Sequence, residues 1–141
     1  DYIADANGSA DITVRATSNG ETVDDTFTVT VNAVNDAPTL TPGDDVIVTV
    51  GTSQTIAGWA TNIGPGGGSD EAAQFVFLIE APDDTSLFDD GPDIDLNTGD
   101  LSFIASDVVG TTIVTLAMQD TGGGSDDTFS VTFNFTVIAE E

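Results

Sequence analysis

The chain contains no cysteine, histidine or lysine, and Arg15 is the one basic residue among its 141. Disulfides and thiolate metal sites are therefore excluded, and the familiar nucleophile–base triads cannot be built without histidine or cysteine. The longest apolar run, residues 75–79, is far too short to span a bilayer. Acid–base chemistry would fall to carboxylates, and a glycosidase would need two of them across a cleft that a small β-sandwich seldom encloses. We therefore expect no enzymatic activity.

Acidic residues dominate the charge of the chain, because 25 Asp and Glu against one Arg give a net charge of −24. Such a charge repels phosphate, so neither nucleic acid nor an anionic membrane surface is an expected partner. It also opposes compaction unless cations neutralise it. Bound divalent metal and a saline environment that screens the charge are the two ways to meet this requirement. The hydrophobic residues, 39% of the chain, are sufficient for a folded core.

An internal repeat becomes visible when the sequence is shifted by 102 residues against itself. Residues 12–32 then align without a gap with residues 114–134, and both segments contain the run Asp-Asp-Thr-Phe. Further upstream, the same shift pairs Asp5 with Asp107 and Gly8 with Gly110. A unit of this size is typical of sandwich domains. We therefore predict that residues 1–35 are the C-terminal strands of a preceding repeat plus a linker, and that residues 36–141 form a complete repeat.

Alternation of apolar and polar residues predicts a C-terminal hairpin with one apolar face in each copy. In the first copy this face consists of Ile12, Val14, Ala16, Phe27, Val29 and Val31. In the second it consists of Val114, Leu116, Met118, Phe129, Val131, Phe133 and Phe135. Further strands are predicted over residues 46–50, 53–57, 74–80, 94–96 and 101–104. The second copy is therefore predicted to be an all-β Greek-key sandwich of about seven strands, preceded by the last strands of the copy before it.

The segment Val34-Asn35-Asp36-Ala37-Pro38 resembles the linker between cadherin-like, Ig-like tandem repeats of large bacterial surface and secreted proteins. The run Trp-Ala-Thr-Asn-Ile at residues 59–63, Glu71, Leu87-Phe88 and the segment 113–123 also follow the order typical of that family. Residues 94–101 are similar to a cadherin segment with Asp and Thr-Gly. The resemblance covers the second copy and the tail of the first.

This resemblance implies an Ig/cadherin-like sandwich and a non-enzymatic structural or adhesive repeat of an extracellular or cell-surface protein. Its partners would be the adjacent repeats, and calcium would stiffen the junctions between them. The Asp-Ala-Asp and Asp-Arg-Glu motifs of animal cadherins are absent from the sequence. A junction with three calcium ions is therefore not implied.

Calcium takes six to eight oxygen ligands, many of them carboxylates from separate loops. In a sandwich of this kind, the linker, the loop around residues 62–71 and the last hairpin loop lie at one end. We predict a calcium site there, formed by Asp5, Asn35, Asp36, Asp70, Glu71 and Asp120. Three glycines precede acidic residues in each of the two loops, and glycine permits turns that direct oxygens at an ion. Solvated loops without metal are the alternative.

Two other binding functions remain open from the sequence. A carbohydrate-binding module would need exposed aromatic side chains, for which only Tyr2, Trp59 and Phe88 are candidates, and we expect Trp59 to pack in or near the core. A filament subunit could assemble by β-strand complementation between like chains, because the first copy leaves its apolar face uncovered. Residues 93–100 have acidic spacing similar to an EF-hand but lack its final Glu, so they predict a turn.

Overall fold

The computed structural model describes residues 3, 6–68, 71, 76–122 and 128–141. In this part of the chain the regular structure is eleven β-strands and one 3₁₀ turn, Thr85–Leu87, so the fold is all-β as predicted. The strands are β1 (Gly8–Ser18), β2 (Glu21–Val31), β3 (Thr39–Thr41), β4 (Val46–Thr49), β5 (Ser53–Ile56), β6 (Thr61–Gly64), β7 (Val76–Pro82), β8 (Phe88–Ile94), β9 (Leu101–Ala105), β10 (Gly110–Asp120) and β11 (Thr128–Ile138).

Strands β3 to β11 form a β-sandwich. One sheet has the order β4-β11-β10-β7 and the other β5-β9-β8, while β3 and β6 form a separate pair. The pairings are antiparallel except that β4 runs parallel to β11, with Val46 beside Phe135. The orders β7-β10-β11 and β5-β9-β8 correspond to the C-F-G and B-E-D strands of an immunoglobulin-like sandwich. The predicted fold class is confirmed.

The core between these sheets is built around aromatic contacts. The ring of Phe135 lies 4.4 Å from that of Phe88 and 4.8 Å from that of Phe103, centroid to centroid, which joins the two sheets. Trp59 lies 4.6 Å from Phe133 and is only 7% exposed. Its indole N–H donates to the carbonyl of Asp44 at 3.0 Å, so the polar atom of this buried side chain is paired. The prediction that Trp59 packs in the core is confirmed.

The first hairpin, β1–β2, pairs with no other strand in the described part of the chain. Its polar face is held by cross-strand bonds between side chains, including Thr13 to Thr26 at 2.8 Å and Arg15 to Asp24. Its other face carries the predicted apolar residues, and Phe27 there is 49% exposed. The predicted division of the hairpin into an apolar and a polar face is confirmed.

The two hairpins differ in register from what the gap-free alignment suggests. Ile12 pairs with Phe27, whereas its counterpart Val114 pairs with Phe133, four residues beyond the Phe129 that the alignment places there. The first hairpin closes through Asn19 and Gly20, both with positive φ as a type I′ turn requires, but residues 121–127 connect β10 to β11. The extra residues therefore lie in the connection, and the true counterpart of Phe27 is Phe133.

The same reasoning relates the rest of the second strands, so that Val29 corresponds to Phe135 and Val31 to Val137. A hydroxyl pair supports this correspondence. Ser9 and Thr30 are joined at 3.0 Å, and the residues at matching positions, Thr111 and Thr136, at 2.9 Å. Each hairpin is thus a version of the other with a different loop.

Most of the predicted strands are present. The predictions for residues 46–50, 53–57 and 101–104 are confirmed as β4, β5 and β9, and 74–80 is confirmed as β7 from residue 76 onwards, since 74 and 75 lie outside the described residues. The strand predicted at 94–96 is wrong, because Ile94 ends β8 and a turn follows, closed by the Gly99 N–H to the Asp95 carbonyl at 2.7 Å. Strands β3, β6 and β8 and the 3₁₀ turn were not predicted.

Candidate metal centre at the linker

Asp120 ends β10 with its carboxylate directed at the linker that follows the first hairpin. Its side chain is 4% exposed. One oxygen, Oδ1, accepts from the Asn35 side-chain amide at 3.3 Å and from the Gly122 N–H at 2.9 Å. The other oxygen, Oδ2, is buried and has no hydrogen-bond partner among the residues that the structure describes. A buried carboxylate oxygen that is left unsatisfied is costly, so a ligand for it is expected.

Glu71 approaches the same linker from the other loop and is 2% exposed. Its Oε1 accepts from the backbone N–H of Asp36 at 2.7 Å. Its Oε2, like Oδ2 of Asp120, is buried and has no hydrogen-bond partner. Two of the most buried polar side chains in the described residues thus bond to consecutive linker residues and each retains one free oxygen.

Gly67 shows why the loop before Glu71 is rich in glycine. Its φ is +51°, and a Cβ at this position would lie 2.7 Å from Oδ2 of Asp36 and 2.8 Å from Oε2 of Glu71. Any side chain would therefore collide with both carboxylates. The absence of a Cβ at Gly67 therefore allows the carboxylates of Asp36 and Glu71, which carry like charge, to lie close to this loop.

No basic side chain compensates these carboxylates. Arg15, the sole basic residue of the sequence, is bound to both carboxylate oxygens of Asp24, each at 2.7 Å. The hydrogen bond from Arg15 lowers the pKa of Asp24, and that to Asp24 raises the pKa of Arg15. The side chains of this sequence therefore offer no positive charge to Glu71 or Asp120, and a cation that neutralised them would come from outside the chain.

The predicted ligands form two contacting pairs, Asn35 with Asp120 and Asp36 with Glu71, whereas Asp5 and Asp70 lie outside the described residues. Across the part of the chain that the structure describes, no three acidic side chains form a ready coordination group. The described donors, Asp36 Oδ2, Glu71 Oε2 and Asp120 Oδ2, are all hard oxygen ligands of the type that calcium takes.

In the segment with acidic spacing at residues 93–100, the predicted turn covers residues 95–99, because residues 93 and 94 belong to β8. The Asp95 carboxylate accepts from the backbone N–H of Asn97 at 2.8 Å and from that of Thr98 at 3.4 Å. The bond from Asn97 is the main cause of the lowered pKa of Asp95. The carboxylate is therefore used in closing the turn.

Sequence reasoning did not find the role of Gly67, although the run of three glycines at residues 66–68 was a signal for it. Nor did it find the particular pairs, Asn35 with Asp120 and Asp36 with Glu71. Compared with known proteins, the chain matches no family model and shows no significant similarity to any curated protein. Within the described residues there is no helix with the length and hydrophobicity needed to cross a membrane.

Proposed function

We propose that this chain is a non-enzymatic structural or adhesive repeat of an extracellular multi-repeat protein, and that calcium bound at its linker stiffens the junction between repeats. The observation that carries the proposal is the pair of buried carboxylates, Glu71 and Asp120, each with one oxygen lacking a hydrogen-bond partner. Both bond to the linker, at Asp36 and Asn35. A divalent cation would neutralise them and satisfy the free oxygens at once.

Calcium suits these donors better than metals that take nitrogen or sulfur ligands, such as zinc and copper. The available groups are carboxylate and amide oxygens, with no nitrogen or sulfur ligand, which is the set that calcium prefers. Extracellular modules bind calcium at about 10⁻⁴ to 10⁻³ M, a range that fits ligands gathered from separate loops. In this arrangement Asp36, Glu71 and Asp120 would hold the ion, and Asn35 would keep Asp120 in place.

Stiffening would follow from where these residues lie in the chain. Asp36 belongs to the linker, Glu71 to the loop before β7 and Asp120 to the end of β10. A cation that binds all three would replace charge repulsion with attraction and fix the path of the linker. The carbohydrate-binding alternative is less well supported, because Trp59 is buried and Phe88 packs on Phe135.

The test is calcium titration by calorimetry combined with thermal unfolding in millimolar calcium and in chelator. At 10 mM calcium, about 10 to 100 times a Kd of this size, linkage contributes about 1.4–2.7 kcal/mol of stability, which raises Tm by roughly 5–10 °C for a domain of this size. We expect Glu71→Gln and Asp120→Asn to abolish this response. In chelator the same variants should melt higher than the parent, because each removes a buried, uncompensated charge.

Asp89→Asn is the matched control, since it makes the same chemical change at an exposed carboxylate on β8. It should keep the full calcium response. Equal melting curves of the parent in calcium and in chelator would contradict the proposal. So would a response that Glu71→Gln and Asp120→Asn leave intact, because the ion would then be held elsewhere.

A further inference from the structure

The apolar face of the first hairpin is built like a core face but is not covered. Ile12 is 43% exposed, Val14 55% and Phe27 49%. The opposite face is polar and suited to contact with water. Its hydroxyls form cross-strand pairs, and Arg15 bonds to Asp24. A sheet with one satisfied polar face and one apolar face normally packs the latter against another layer.

The second hairpin shows what such a layer is. The counterparts of Ile12, Phe27 and Val31 are Val114, Phe133 and Val137, whose exposures are 0%, 4% and 0%. On the same face, Phe135, the counterpart of Val29, contacts Phe103 of the sheet β5-β9-β8, and Phe133 contacts Trp59. The second hairpin in its sandwich therefore shows which kind of sheet would cover the apolar face of the first.

The second hairpin also shows what pairs with the two outer edges of such a hairpin. The outer edge of β10 pairs antiparallel with β7 along residues 114–120, and that of β11 pairs parallel with β4 along residues 135–138. The corresponding positions of the first hairpin are residues 12–18 on β1 and residues 29–32 at the end of β2, of which Asn32 follows the strand. These edges have no partner strand in the part of the chain that the structure describes.

We propose that the first hairpin is a docking surface for one kind of partner: a polypeptide segment of the same repeat type that carries counterparts of β4, β7, β8 and β9 but not of the last hairpin. One of its strands adds antiparallel to residues 12–18 of β1, and another adds parallel to residues 29–32, at the end of β2. Its second sheet covers Ile12, Phe27 and Val29. This inference concerns a surface separate from the metal centre and does not depend on calcium.

A groove beside this face supports the assignment. It has a volume of about 520 Å³ and lies between Ile3 and Ala6 on one side and Ile12, Val29 and Val31 on the other. Asp25 marks the limit of the apolar face, because it lies opposite Val14 where the second hairpin has the apolar Val131.

The experiment adds a separate polypeptide, residues 37–106 of this sequence, to the full chain and follows amide hydrogen exchange. That polypeptide contains the strands β3 to β9 and lacks the last hairpin. We expect exchange at the outward amides of residues 12–18 and 29–32 to slow by about tenfold or more. Phe27→Asp should abolish this protection, whereas Thr17→Asp on the polar face should leave it unchanged.

If the added polypeptide associates with itself, a covalent fusion of residues 37–106 to the first hairpin tests the same proposal. Residues 37–106 are placed directly before Asp5, which corresponds to Asp107 in the repeat alignment. Protection of residues 12–18 and 29–32 in either arrangement supports the proposal, and its absence from both overturns it. Sedimentation that finds a dimer of the chain alone, with the same amides already protected, would also overturn it by assigning the surface to a second copy.

Discussion

The two hairpins of this chain are built on one plan and end in different surroundings. Both have strands of eleven residues, alternate apolar and polar side chains, and keep a hydroxyl pair at matching positions. Phe27 of the first is 49% exposed, whereas its counterpart Phe133 is 4% exposed. Because the local sequences are so similar, burial here depends on the strands that lie over the hairpin. A hairpin's own sequence thus determines its strand pairing and its apolar face, and the strands packed over it determine whether that face is buried.

The largest expected effect comes from the matched pair of phenylalanines. Phe133→Ala removes a buried ring that contacts Trp59, and we expect it to lower the free energy of unfolding by about 3–5 kcal/mol. Phe27→Ala makes the same change on an exposed face and should cost less than about 1 kcal/mol. Urea denaturation monitored by far-ultraviolet circular dichroism measures both, because it follows the strands of the hairpin and of the sandwich together. Similar losses for the two variants would show that the first hairpin is already covered in solution.

Exchange of the hairpin loops is the next test. Residues 121–126 are replaced by Asn-Gly, the turn of the first hairpin, which shortens the connection by four residues. We expect Val114 to remain opposite Phe133 and stability in chelator to change by no more than about 1 kcal/mol, since shorter loops close at slightly lower entropic cost. Cross-strand nuclear Overhauser effects between residues 114 and 133 report the register. Contacts between residues 114 and 129 instead would contradict the correspondence of Phe27 with Phe133.

The smallest effect concerns the polar faces, where the first hairpin has Arg15 opposite Asp24 and the second has Ala117 opposite Ser130. Arg15 lowers the pKa of Asp24 in the folded chain, so its contribution to stability is present above the unfolded pKa and is lost as pH falls through the folded one. Arg15→Gln should therefore raise the pKa of Asp24, with little change in Tm because the pair is exposed.

Carbon-detected nuclear magnetic resonance of the Asp24 carboxylate over a pH titration measures this change. Asp95 is the internal control, because its pKa is lowered by backbone N–H groups of its own turn. It should titrate identically in both proteins. An unchanged Asp24 would mean that its bond to Arg15 does not persist in solution.

Alternation predicted the strands well because the sheets are half-buried and their side chains follow a period of two. It failed for β8, because the sequence Phe-Asp-Asp-Gly-Pro-Asp-Ile has poor strand propensity. This strand lies at an edge of the three-stranded sheet, where proline is tolerated. It also could not fix the counterparts of the last strand. A slip of four residues preserves a period-two pattern, so the alignment of Phe27 with Phe129 looked as good as the structural one with Phe133.

The sequence predicted which loops lie near the linker but not the geometry of the contacts between them. Strand order was enough to bring the linker near the loops of Glu71 and Asp120, which the structure shows. The space above Gly67 depends on how two loops and the linker approach one another in three dimensions. Sequence spacing holds no information on that approach. The sequence therefore could not show that Gly67, rather than Gly66 or Gly68, is the glycine that lies against the two carboxylates.

Arg15 has a consequence for proteolysis. A protease that cuts only after basic residues finds a single bond in the whole sequence, between Arg15 and Ala16, and this bond lies within β1. Extended backbone held in a ladder resists cleavage until it opens, so the rate of cutting follows the opening of that strand. Such an enzyme acts as a reporter of the first hairpin alone, while the sandwich offers it nothing to digest whether folded or unfolded.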